Sequence, residues 1–174
     1  VRATTMNTPC ILMTRRKYLK IVLTVSLIIQ KSLSITMNNK VINNLQKMID
    51  VNTPIIYIQD YDFVRVDEII RSVIKDKKIY EWNPATGSTD FNTKASLGFG
   101  EKETLENFIK EMYTDESKSA KKEKFIVLKD IQDLIEETSI KSLLQLMAQR
   151  RLYDLEFNTT IFIVSSVLKV PQEI

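Results

Sequence analysis

An α/β domain, a mostly parallel sheet between helices on both faces, is the fold this sequence predicts, and three observations predict it. Two apolar runs end in polar residues, Phe-Ile-Val-Leu-Lys-Asp at 125–130 and Thr-Ile-Phe-Ile-Val-Ser-Ser at 160–166. Parallel α/β folds present their chemistry at such carboxyl ends of strands. Strand-like runs alternate with runs of helical period, and that rhythm needs crossover connections. With 44% apolar residues but only three glycines and four prolines, regular elements should dominate, and 174 residues suffice for one core. The phosphate-gripping motif G-x-x-x-x-G-K-[ST] is absent. The expectation is therefore the architecture of a nucleotide site without a working nucleotide site.

The elements follow in order. Val41, Ile42, Leu45, Met48 and Ile49 recur at helical spacing, which predicts a helix over 38–50, broken by Asn52-Thr53-Pro54. The β-branched run at 55–58 shows no alternation and suits a strand covered on both faces. Phe63, Val66, Ile69, Ile70, Val73 and Ile74 define the next helix, with Asp60 or Asp62 as its N-cap and Lys75 to Lys78 closing it against the helix dipole. A second strand at 79–82 stops at Asn83-Pro84. Residues 83–100 are polar and hold every glycine of the chain, which predicts a long loop of the kind that is functional or disordered. Leu105, Phe108, Ile109 and Met112 mark a helix over 101–113, and a charged connection leads to the third strand at 125–128. A short helix is expected at 131–137, a longer one from Ile140 to Tyr153, and a fourth strand at 160–164 before the segment leads out at 167–171.

The charge is uneven. Six of the 25 basic residues fall within 1–36, which holds no acid, so the rest of the chain carries 19 cations against 22 acids. That balance argues against a nucleic-acid surface. Cys10 is the lone cysteine and histidine is absent, which excludes disulfide frameworks, Cys/His zinc sites and histidine triads. A basic cluster at 15–20 precedes an apolar run at 21–29 that is too short to span a bilayer, which needs about 20 residues. Residues 1–36 are expected to be an extension upstream of a start at Met37; a signal or membrane-surface anchor and an ordinary helix are the alternatives. Residues 37–174 then form a single α/β domain.

Several residues are candidates for chemistry. Asp130 sits where nucleotide hydrolases keep an acid that orients magnesium and water, yet the same position suits a cap for the helix at 131–137. Ser165 and Ser166 stand where a γ-phosphate would be sensed, or simply make a turn. Asp60, Asp62 and Asp130 would offer hard oxygen ligands to Mg²⁺ if the first and third strands were neighbours. With Ser165 or Ser166 and Lys169 they would approximate a phosphoacceptor site of the receiver type, although the long loop argues against it. Gln149-Arg150-Arg151 reads as a trans-acting arginine finger or as charge complementing a helix end. Lys118, Lys121, Lys122 and Lys124, interrupted by Glu116 and Glu123, read as a solvated connector. Tyr61, Phe91 and Phe99 are aromatic residues near the expected ligand edge, for partner contact or for packing on their own domain.

Taken together, Thr53-Pro54-Ile55-Ile56-Tyr57-Ile58, the strand at 79–82, Phe125-Ile126-Val127-Leu128-Lys129-Asp130-Ile131 and Val164-Ser165-Ser166-Val167-Leu168-Lys169-Val170-Pro171 resemble the N-terminal domain of bacterial and chloroplast-encoded AAA-type ATPases. The resemblance runs from about Ile42 onward, and Ser166 departs from it where relatives often carry proline. It implies a degenerate P-loop-like domain followed by an AAA module, with ATP and Mg²⁺ belonging to that module and no catalytic residue carried by these positions. It further implies a non-catalytic, cytoplasmic role in positioning the motor or binding partners. Those partners would be its own AAA module, neighbouring subunits and a protein client, without specific nucleic acid, and with a membrane only if 15–30 is an anchor. A free-standing protein-binding module using the 83–100 loop, and a Mg-dependent phosphoacceptor, are the competing readings.

Overall fold

The computed structural model describes residues 39–98, 104–114, 123–154 and 156–169. The chain divides into two units, 1–40 and 41–174. The expectations for residues 1–36, for Phe99 and for Lys118, Lys121 and Lys122 lie outside the described residues.

The second unit is built on a five-stranded sheet of order β1-β5-β4-β2-β3. Its members are β1 (Ile55–Gln59), β2 (Ile79–Asn83), β3 (Gly87–Asp90), β4 (Lys124–Lys129) and β5 (Thr159–Ser165). β1, β5, β4 and β2 run parallel, and β3 turns back antiparallel on β2. The helices are α1 (residues 39–50), α2 (Phe63–Ile74), α3 (Leu105–Thr114) and α4 (Thr138–Tyr153). The expected mostly parallel α/β sheet with helices is thus what the chain folds into.

Each face of the sheet buries its own cluster because alternate strand residues point to opposite sides. Ile56, Phe125, Val127, Phe162 and Val164 pack under Leu45 and Ile49 of α1 and under Val66, Ile70, Val73 and Ile74 of α2. Ile126, Leu128, Ile161 and Ile163 face Leu105, Phe108, Ile109 and Met112 of α3 and Ile140, Leu144 and Met147 of α4. Every residue of β4 and β5 is buried, whereas β1 is largely half-buried, as befits its place at the sheet margin. In α1 only Leu45 and Ile49 of the apolar set are fully buried; Val41 and Met48 are exposed.

Two expectations need correction. Within the expected 83–100 loop, the described residues 83–98 are not one long loop. Asn83 accepts from the Ala85 and Thr86 amides through Oδ1 and its carbonyl, and Gly87 follows at φ +66°, a tight turn into β3. Beyond β3 the chain folds back again, bridging Thr89 to Ser96. Residues 131–137 form consecutive turns rather than a helix. Asp130 adopts φ +53°, so the chain leaves β4 through a left-handed residue, and Ile131, Leu134 and Ile135 are drawn to the sheet by burial of their apolar side chains.

Candidate functional site

The carboxyl ends of β1, β5 and β4 lie side by side and carry the residues singled out from the sequence. Ser165 is the last residue of β5, and its carbonyl accepts from the Asp60 amide at 3.0 Å, while the Asp130 amide donates to Val164 at 3.0 Å. Asp60 and Asp130 therefore flank β5 on opposite sides. The first and third parallel strands in chain order are not neighbours, and two inter-strand spacings separate them by about 10 Å. The geometry does not gather Asp60, Asp62 and Asp130 around one point. Among the described residues no group of three metal-ligating side chains occurs.

Asp60 and Asp62 are engaged at the start of α2. Asp62 Oδ1 accepts the Arg65 amide at 3.1 Å, an N-cap, and Asp60 accepts the Asp62 amide at 2.9 Å and pairs with the Arg65 guanidinium. Burial pushes the Asp60 carboxyl up, but those bonds outweigh it and hold the group below its ordinary value. The connection from β1 to α2 is thus three residues long, acidic, and hydrogen-bonded to itself.

Asp130 is half-buried, and its side chain caps no helix. Ser165 is fully buried. Its hydroxyl donates to Gln132 Oε1 at 2.8 Å and receives the Val167 amide at 3.2 Å, so it ties the end of β5 to the turn after β4. Tyr57 completes this edge. Its hydroxyl donates to the Val167 carbonyl at 2.8 Å and accepts the Lys169 amide at 3.3 Å, while Lys169 Nζ binds Asp133 at 2.8 Å. The Asp133 carboxylate raises the Lys169 pKa. The segment leaving β5 is bracketed to the sheet from two sides.

Arg150 and Arg151 are half-buried and engaged by their own domain. Arg150 lies between the rings of Tyr113 (4.9 Å) and Phe157 (4.6 Å) and donates to Asp154 and to the Tyr113 carbonyl. Arg151 donates to Asn52 Oδ1 at 2.6 Å, and burial pulls its pKa down. Of the candidate aromatics, Tyr61 is 88% exposed whereas Phe91 is fully buried.

Sequence reasoning missed a buried ionic cluster under α2. Asp67, Glu81 and Lys129 are each less than a tenth exposed. Lys129 Nζ lies 2.8 Å from Asp67 and 3.3 Å from Glu81. Lys94, on the turn after β3, reaches in to bind Asp67 at 3.1 Å and also pairs with Glu81. Phe91 lies beneath, 4.4 Å from the Lys94 ammonium and 5.1 Å from the Arg71 guanidinium. The available signal was charge at inward strand positions: Glu81 and Lys129 share a face with Ile79, Phe125 and Val127. With two acids paired to two lysines and the Arg71 guanidinium 4.0 Å from Asp67, the arrangement clamps the β2–β3 hairpin to α2.

No helix among the described residues is long and apolar enough to cross a membrane. Comparison with curated proteins and with solved structures returned no match. A family model described as the N-terminal domain of SpoVK-like AAA ATPases matches residues 41–174, the whole of the second unit. This agrees with the resemblance carried by the Lys129-Asp130 and Val167–Pro171 blocks, and the chain belongs to the family of SpoVK-like AAA ATPase N-terminal domains.

Proposed function

We propose that this domain is a non-catalytic member of an AAA machine, a P-loop-like fold without a phosphate grip, whose work is to position the ATPase module and its contacts. One observation carries the reading: the connection from β1 to α2, where a P-loop protein wraps phosphates in glycine-rich backbone, is Asp60-Tyr61-Asp62. A phosphate loop offers free amides at a helix N-terminus. Here the Asp62 and Arg65 amides are already taken by carboxylates, and those carboxylates repel a polyphosphate. The bracket formed by Tyr57, Ser165 and Lys169 supports the positioning role, since it holds the exit from β5 in one direction. The partners in this reading are the AAA module, neighbouring subunits and a protein client in the cytoplasm, with ATP and Mg²⁺ bound by the module.

Titration calorimetry of the 174-residue chain with ATP and ADP in the presence of Mg²⁺ tests it. The expected result is no binding tighter than about 100 μM, or roughly −5.5 kcal/mol. Tighter binding that Asp130→Asn weakens would overturn the proposal and revive a magnesium site.

A further inference from the structure

The corner where β1 and β5 end side by side is apolar as well as acidic. Tyr61 follows Asp60, whose amide donates to the Ser165 carbonyl, and Val167 stands two residues beyond Ser165. Tyr61, Val64, Val167 and Leu168 are all exposed there, and none of the four joins either core cluster. The residue before an N-cap commonly packs on the fourth residue of its helix. In α2 that residue, Val66, is buried among the cluster beneath the helix, and Tyr61 stays exposed. Val167 and Leu168 stay exposed although the Tyr57 hydroxyl bonds both the Val167 carbonyl and the Lys169 amide and so fixes the backbone between them. Holding apolar side chains in water on a fixed backbone is unfavourable unless something covers them, and clustered exposure of this kind marks interaction sites.

We infer that this corner is the seat of the ATPase module of the same chain, an inference that rests on the proposed reading of the domain as the N-terminal part of an AAA machine. Two observations choose that occupant. The first is continuity: the exit from β5 runs through the patch and supplies Val167 and Leu168 to it, so a module joined beyond Lys169 starts from this corner. Linkage raises the module's effective concentration to the order of millimolar, at which a small patch suffices. The second is charge. Asp60, Asp62, Asp130 and Asp133 stand on the same edge against Arg65 and Lys169, a balance that repels polyphosphates, nucleic acids and anionic lipid surfaces. The covering surface is therefore a protein face with apolar residues at its centre and basic residues at its rim. Seated there, the module closes over Tyr61, and the bracketed exit becomes one of two points that fix its orientation.

Hydroxyl-radical footprinting of the full-length protein tests the inference, because Tyr61 and Tyr153 are equally open in the domain, 88% and 85% exposed. Tyr153 ends α4 near the opposite edge, where β5 begins, and serves as the reference. The expected result is that Tyr61 is oxidised at least about fivefold more slowly than Tyr153 in the full-length protein, whereas the two react alike in the 174-residue chain. Val64→Asp places an acid in the first turn of α2, where the helix dipole favours it, so the fold is kept. In the full-length protein this variant should bring Tyr61 back to within about twofold of Tyr153, since it puts an unpaired charge into the contact. Equal oxidation of the two tyrosines in a full-length protein that hydrolyses ATP overturns the inference and leaves the proposed function standing. So does protection of Tyr61 that Val64→Asp leaves untouched, or that is lost when the protein is diluted to monomers, since the cover then belongs to a neighbouring subunit. A full-length protein without an ATPase module overturns the proposed function itself.

Discussion

Asp90 shows how one side chain organises a turn. Its carboxylate accepts the Thr93 and Asn92 amides and the Thr93 hydroxyl at 2.8 to 3.0 Å, which lets the chain reverse after β3 and deliver Lys94 to the buried cluster. The Thr93 amide is the leading cause that holds the Asp90 carboxyl below its ordinary value, against the opposing effect of burial. A depressed carboxylate contributes stability above its unfolded pKa and loses it as pH falls through the folded one. Asp90→Ala is therefore expected to cost about 1–2 kcal/mol at pH 7, with the difference from the unmodified chain narrowing below the ordinary carboxylate range. Urea denaturation at pH 7 and pH 3 measures both. Lys75 offers the opposite case. It closes α2 at φ +52°, ψ −122°, a region that L residues avoid. Lys75→Gly should raise stability by about 1 kcal/mol, read as a higher urea midpoint. Legibility differs along α2: Asp62 announces itself as an N-cap by its place before an apolar helical run, whereas nothing local to Lys75 marks a positive φ.

Between elements, the cluster of Asp67, Glu81, Lys94 and Lys129 joins α2, β2, β4 and the β3 turn. Burying these charges is costly, so the cluster matters less as a source of net stability than as a constraint on what can be removed. Lys129→Met leaves the two buried acids with Lys94 and the more distant Arg71, and is expected to cost about 3–5 kcal/mol. Lys94 is 42% exposed at its side chain, and solvent screens its loss, so Lys94→Met should cost distinctly less. Chemical denaturation of the two variants and the double mutant checks the order; equal costs would contradict it. The sequence exposes the apolar runs of β4 and β5 plainly because each is continuous and fully buried. It hides the cluster because Asp67, Glu81 and Lys129 lie 14 and 48 residues apart along the chain and meet only through the sheet. β3 is hidden for a related reason: Gly-Ser-Thr-Asp has little strand propensity, and it is paired by the turn at 83–87 rather than by its own side chains.

For the molecule as a whole, the class of fold was legible from period and polarity, but the order of strands was not. Local pattern says that crossovers exist and does not say that β5 inserts between β1 and β4. That insertion decides the site. It parts Asp60 from Asp130, and it brings β1 beside the end of β5, so that Tyr57 can reach the segment that leaves the sheet. Tyr57→Phe removes a single hydroxyl and with it both the donor to Val167 and the acceptor for the Lys169 amide. Because the ring packs against the α3/α4 side of the core and stays in place, the cost to global stability should be small, about 1 kcal/mol. The local effect should be larger than the global one. Amide exchange at Val167 and Lys169 is expected to accelerate well beyond the change at β5 residues such as Phe162, since the exit segment loses a bracket while the strand keeps its ladder. If exchange at Val167 and Lys169 were unchanged, the phenol would be dispensable and the direction of the exit would rest on Ser165 and the Lys169–Asp133 pair alone.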